Sequence, residues 1–166
     1  RGRRLGGAQR MFDGEAGERH LLQLVPGDKG LLFVAAEAGT ILRSEDAGAN
    51  WTAIQTDNKG SFWTGAALSD GSLLMAGMRG HVYRSSDRGL HWSEVASGTQ
   101  QSLTGIAQRA DGSVRIVGLG GTSLLSKDAG QHFEASVRPD RAGMTAISRS
   151  TVTEVVFTAS GQLLKE

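Results

Sequence analysis

Apolar residues along this chain come in short blocks rather than at helical spacing. No stretch of ten or more residues places them at intervals of three and four. Segments instead alternate, or run as brief apolar blocks bounded by Gly, Asp or Ser, as in Leu31 to Ala36. That pattern predicts strands. Around the chain's middle a first strand is expected over Phe62 to Leu68, turning at Asp70-Gly71. Asp-Gly between two apolar runs is a strong hairpin signal. Further strands follow over about Leu73 to Gly77, His81 to Ser85 and Trp92 to Ala96.

The same unit recurs. Ser44-Glu45-Asp46-Ala47-Gly48-Ala49-Asn50-Trp51 aligns with Ser85-Ser86-Asp87-Arg88-Gly89-Leu90-His91-Trp92 and with Ser126-Lys127-Asp128-Ala129-Gly130-Gln131-His132-Phe133, and the three Asp residues lie 41 positions apart. Gly39, Gly80 and Gly121 keep that step, Asp70-Gly71 and Asp111-Gly112 obey it, and Gly161 falls one residue short. A period near 40 with four short strands per unit is the arithmetic of a β-propeller blade. The fold class is therefore all-β, a propeller of four-stranded antiparallel blades of about 41 residues.

Each recurring turn has a structural explanation. The Asp accepts hydrogen bonds from the backbone of its own turn. Gly48, Gly89 and Gly130 supply a residue for which positive φ costs little. Trp51, Trp92 and Phe133 open the outer strand with an apolar anchor between blades. Structural roles are thus expected for Ser44, Asp46, Gly48 and Trp51, for Ser85, Asp87, Gly89 and Trp92, and for Ser126, Asp128, Gly130 and Phe133.

The units divide the chain into a basic segment 1–19 holding one outer strand of a preceding blade (Gln9 to Asp13), blades over 20–60, 61–102 and 103–142, and an incomplete blade over 143–166. The last supplies Met144 to Arg149, Glu154 to Thr158 and Gly161 to Leu164, and the chain stops before its Asp turn. Two readings follow: a small ring closed by strands from both termini, or a section of a larger propeller. The second is preferred, since Arg1 and the abrupt end at Glu166 read as cuts. An incomplete ring standing alone exposes strand edges and apolar faces, so self-association is then expected.

Composition narrows the chemistry. The 166 residues include 24 Gly, 2 Pro and no Cys, which excludes disulfides and cysteine nucleophiles. A formal net charge of +1 gives no global field toward nucleic acid or an anionic membrane, and Arg1-Gly2-Arg3-Arg4 reads as a linker. Since the chain begins with Arg, the absence of a targeting segment carries no information.

Three motif readings fail on spacing. His91 and His132 are the same position in successive blades, too far apart to share an ion, His81 matches Thr40 and Thr122, and His20 is isolated, so no metal site is expected. Gly118-Leu119-Gly120-Gly121 lacks the Lys-Ser/Thr and helix of a phosphate loop, and Asp46 to Asn50 lacks the terminal Glu of a calcium loop. Both read as turns, and no cofactor is expected.

The three aligned segments resemble the Asp-box of bacterial neuraminidase repeats, S-x-D-x-G-x-T-W, departing at Asn50, His91 and His132 and again at Phe133. The 41-residue step and the small-small-Gly before the third strand are similar to the photosystem II stability/assembly factor family, over about residues 20 to 166. The resemblance implies a ring of about seven blades, no enzymatic activity, and docking on a membrane protein complex or its assembly intermediates. It also implies an extracytoplasmic location, in the periplasm or thylakoid lumen. The alternative is a sialidase-like or glycan-binding propeller. Sialidase chemistry needs a Tyr nucleophile, and the single tyrosine, Tyr83, aligns with Leu42 and Leu124, which favours packing.

What remains is surface. In a propeller the connections between blades and the second-to-third strand turns share one face. On it fall Lys59, Arg79, Arg138 and Arg141, with Asp57 and Asp140 nearby, and these cations are the expected partner-binding residues by location alone. The plainer alternative is a set of solvated charged loops.

Overall fold

The computed structural model describes residues 19–149, 153–161 and 163–165. The expected outer strand over Gln9 to Asp13 lies outside them. The described chain folds into four antiparallel sheets, each a sequential meander. The first holds β1 (Leu21–Pro26), β2 (Leu32–Ala36), β3 (Thr40–Ser44) and β4 (Thr52–Gln55). The second holds β5 (Phe62–Ala67), β6 (Leu73–Gly77), β7 (Val82–Ser85) and β8 (Ser93–Val95). The third holds β9 (Leu103–Gln108), β10 (Val114–Gly118), β11 (Thr122–Ser126) and β12 (Glu134–Val137). Three strands form the fourth: β13 (Met144–Arg149), β14 (Glu154–Thr158) and β15 (Leu163–Lys165). The outer strand β8 is shorter than the expected Trp92 to Ala96. Trp92 lies just ahead of the ladder and packs edge-on against Phe33 of the preceding sheet, ring centroids 6.3 Å apart.

Sheets stack as blades, with β1 on β5, β5 on β9 and β9 on β13. No comparable packing joins β13 to β1 among the described residues, so the four sheets form an arc of a propeller. The core lies between blades. Along β6, Leu73 and Met75 face Phe33 and Ile41 of the first blade, while Leu74 and Ala76 face Leu103 and Ile116 of the third. A strand buried on both faces needs apolar residues at every position, which is why β6 reads as a continuous apolar block. Each inner strand skips one residue near its start, at Leu22, Trp63, Thr104 and Thr145.

The Asp turns repeat in atomic detail. The Ser Oγ donates to the Asp Oδ1 at 2.8 Å in all three, and accepts the Gly N–H at 2.9, 3.0 and 2.8 Å. Asp Oδ1 accepts the backbone N–H of Asn50, His91 and His132. The side chains of those same three residues reach Asp Oδ2 at 2.7, 2.6 and 2.6 Å. The two histidines therefore sit where Asn50 does, as second partners of the turn carboxylate.

One inter-blade tie was not foreseen. Arg43 Nε donates to the Arg88 carbonyl at 2.8 Å, and Arg84 Nε to the Ala129 carbonyl at 2.9 Å. Each arginine thus latches onto the left-handed residue of the next blade's Asp turn, φ 62° and 55°. The third blade carries Leu125 at that position. Its tie to the fourth blade is ionic instead: Glu154, 6% exposed, accepts from Arg109 at 2.9 and 3.0 Å and from Arg115.

Candidate functional site

The face expected to recognise a partner is built from the turn between β6 and β7 and the connection between β4 and β5. The turn, Met78–Gly80, is one loop of 3-10 helix. Gly80 has φ 77°, and a Cβ there would lie 2.2 Å from the Thr99 carbonyl oxygen, so only glycine fits. Arg79 also takes a left-handed backbone, φ 56° and ψ 25°. Its counterparts one repeat away are Ala38 and Gly120.

The connection is tied down by its own polar groups. Asn58 N–H donates to Thr56 Oγ1 at 3.3 Å, Gly60 N–H to Asn58 Oδ1 at 2.9 Å, and Met78 N–H to the Ser61 carbonyl at 3.0 Å. Between turn and connection lies a cavity of about 520 Å³, lined by Asp57, Asn58, Lys59, Arg79, His81 and Glu94 among others. Lys59 and Arg79 are exposed on it and make no ion pair among the described residues.

Both carboxylates of this cavity are engaged. Tyr83 Oη donates to Asp57 Oδ1 at 2.6 Å, and His81 Nδ1 lies 2.5 Å from Glu94 Oε1. Burial first, then the hydrogen bond to Asp57, pushes the Tyr83 phenol well above its usual range. That same hydrogen bond holds the Asp57 carboxyl below its own. Tyr83 is 2% exposed and packs edge-on against Phe62, centroids 5.3 Å apart. The expected packing role is met, with an added one: the phenol keeps its proton and pins the connection to the third strand.

The structure brings Lys59 and Arg79 together and leaves Arg138 and Arg141 in the connection between the third and fourth blades. Arg138 forms a bidentate pair with Asp140, at 3.1 and 3.0 Å. Arg141 is exposed, at φ 49°, and its backbone crowds Gly121 of the turn before β11. The expected turn at Gly118 to Gly121 is a 3-10 loop over Leu119–Gly121. The described residues hold no cluster of three or more metal-ligating side chains.

Asn58, His81, Tyr83 and Glu94 were missed as site residues. The signal for them was departure from the repeat. One repeat further on, Asp57, Asn58, Arg79, His81, Tyr83 and Glu94 become Gly98, Thr99, Gly120, Thr122, Leu124 and Ala135.

Four sequential antiparallel meanders stacked on one another define a section of a β-propeller. Residues 8–115 match the family model described as Photosynthesis system II assembly factor YCF48, and the chain belongs to that family. Among solved structures, "YCF48 bound to D1 peptide" superposes with a TM-score of 0.68 at 16% identity, over 93% of this chain and 51% of that one. YCF48 from Cyanidioschyzon merolae gives 0.58 at 18% identity, over 86% and 52%. The GH74 enzyme of Niastella koreensis gives 0.62 at 24%, over 86% and 22%. The chain thus spans about half the length of the YCF48 chains it resembles. At these identities the likeness is one of fold. No curated protein matches the chain.

Proposed function

We propose that the connection face, through Lys59, Arg79, Arg138 and Arg141, docks this protein onto a peptide segment of a membrane protein complex during its assembly, and that the protein acts as a scaffold. Membership of the YCF48 family supports the reading, as does a YCF48 structure that holds a D1 peptide. The observation that carries it is Arg79. A bulky cation sits in a left-handed turn where the neighbouring blades use Ala38 and Gly120, and it faces Lys59 across an open cavity. Arginine suits carboxylate contacts at interfaces. No described helix is long and apolar enough to cross a membrane, and the proposed contact with the membrane is through the client, on the periplasmic or lumenal side.

The test is a pull-down of the intact protein from detergent-solubilised membranes, beside the variant Arg79→Glu/Arg138→Glu/Arg141→Glu. Recovery of one complex by the wild type, lost in the variant and weakened by salt, is the expected result. Equal recovery by both discards this face. Recovery of nothing by the wild type discards the docking role.

A further inference from the structure

The cavity between the first and second blades contains a donor that the fold does not use. Asn58 is 2% exposed, and its Oδ1 already accepts the Gly60 N–H. Its Nδ2 has no hydrogen-bond partner. A buried amide left without an acceptor is costly, and native structures rarely leave one without a reason.

Loop geometry does not require that donor. The equivalent connection between the third and fourth blades has Asp140 two residues before Ala142, and Asp140 Oδ1 accepts the Ala142 N–H at 3.1 Å. A carboxylate therefore closes the same kind of turn as the Asn58 oxygen does. The NH2 group at Asn58 is surplus to folding, and it belongs to a residue that lines an open cavity with two unpaired cations, Lys59 and Arg79.

We infer that this cavity is a carboxylate pocket that takes the side chain of an Asp or Glu from an acidic partner peptide, with Asn58 Nδ2 as the donor and Lys59 and Arg79 as the charge. This rests on the docking reading and names what that face recognises. A charged acceptor is favoured over a neutral one because hydrogen bonds to ionised oxygens are about twice as strong, and because both resident carboxylates are already held, Asp57 by Tyr83 and Glu94 by His81. A side-chain carboxylate is favoured over a chain end. Terminal carboxylates are captured in nests of free backbone N–H groups, and here the N–H groups of Asn58, Gly60, Met78, Arg79 and His81 all donate within the protein. The side chains of Asn58, Lys59 and Arg79 remain as donors on the lining.

The experiment is calorimetric titration of the intact protein with three capped probes: Ac-Gly-Ser-Glu-Ser-Gly-NH2, its Gln isostere, and Ac-Gly-Ser-Gly-OH, which carries a carboxylate only at its end. The Glu probe is expected to bind at least tenfold tighter than either of the others. Asn58→Asp keeps the oxygen that Gly60 needs and replaces the donor by a second negative oxygen, so it should lose the Glu probe by tenfold or more. Because Asn58 is 2% exposed, the new charge also lowers the melting temperature, and the titration is run well below it. In the wild type the Asn58 side-chain amide proton should move downfield in NMR spectra as the Glu probe is added, a readout independent of any variant. Equal binding of the Glu and Gln probes, or a stationary Asn58 amide at saturation, overturns the pocket. Tighter binding of the end-carboxylate probe overturns the choice of a side chain. If membrane recovery still depends on the arginines while the Glu probe does not bind, the docking reading stands and the pocket falls.

Discussion

Replacing Arg79 by glycine should make this protein more stable and worse at docking. Arg79 holds φ 56° and ψ 25°, the left-handed well that L-residues other than Asn and Asp seldom enter. Placing a Cβ in that well costs about 1–2 kcal/mol. Glycine removes that cost but adds about 0.5–1 kcal/mol of chain entropy to the unfolded state. The difference is a net gain of about 0.5–1 kcal/mol, or roughly 1–4 °C in melting temperature for a chain of this size. Arg79→Ala is the control, since it removes the guanidinium and keeps the Cβ, and it should leave stability unchanged. Gly120→Ala in the next blade, at φ 61°, should shift stability the other way by a similar amount. The assay is urea unfolding, read as a change in midpoint at constant slope. A destabilised Arg79→Gly, or an Arg79→Ala as stable as Arg79→Gly, would show that the backbone there stores no strain and remove the main argument that Arg79 is kept for function.

Four further outcomes follow from the packing. Gly80→Ala should cost about 3 kcal/mol or more, because its Cβ would meet the Thr99 carbonyl oxygen at 2.2 Å and backbone cannot yield as a side-chain tip does; loss of the folded signal in circular dichroism is the extreme result. Glu154→Leu should cost about 3 kcal/mol in urea unfolding, since it leaves Arg115, 7% exposed, without its carboxylate. Arg84→Met keeps the apolar stem but not the bond to the Ala129 carbonyl, and should cost about 1–2 kcal/mol by the same assay. Acid should also weaken the fold through its Asp turns. Asp46 is lowered to about 2 by hydrogen bonds from Asn50 and Ser44, and Asp87 and Asp128 are lowered by those from the histidines and serines. Groups depressed in the folded state stabilise it above their unfolded pKa near 4 and lose that contribution as pH falls toward 2, so melting temperature should drop across that window, less steeply in Asp87→Asn.

What the sequence made legible follows from what each blade must repeat. A residue needed in every blade recurs at the same step, so the Asp turns, the Asp-Gly hairpins and Gly39, Gly80 and Gly121 could be read before any coordinates. Arg43 and Arg84 carried the same signal, 41 positions apart, yet the latch they make was missed. A repeat shows that a position matters to the blade but not which neighbour it reaches, and the acceptor lies in the next blade's turn. The pairs specific to one junction were not legible at all. Tyr83 meets Asp57 across 26 residues, and Glu154 meets Arg115 across 39, and neither pair has a counterpart one repeat away. That asymmetry supports the proposed site. Repetition holds a residue in place for packing, so a position that changes from blade to blade is released from that demand. Single departures are scattered along the chain, but Asp57, Asn58, Arg79, His81, Tyr83 and Glu94 depart together and line one cavity. In the next blade the six are Gly, Thr, Gly, Thr, Leu and Ala, which shows that a blade packs and closes without them. The left-handed turn itself recurs at Ala38 and Gly120, but only here does it carry a cation beside a second cation and a buried amide without a partner, and the proposed binding site accounts for that combination.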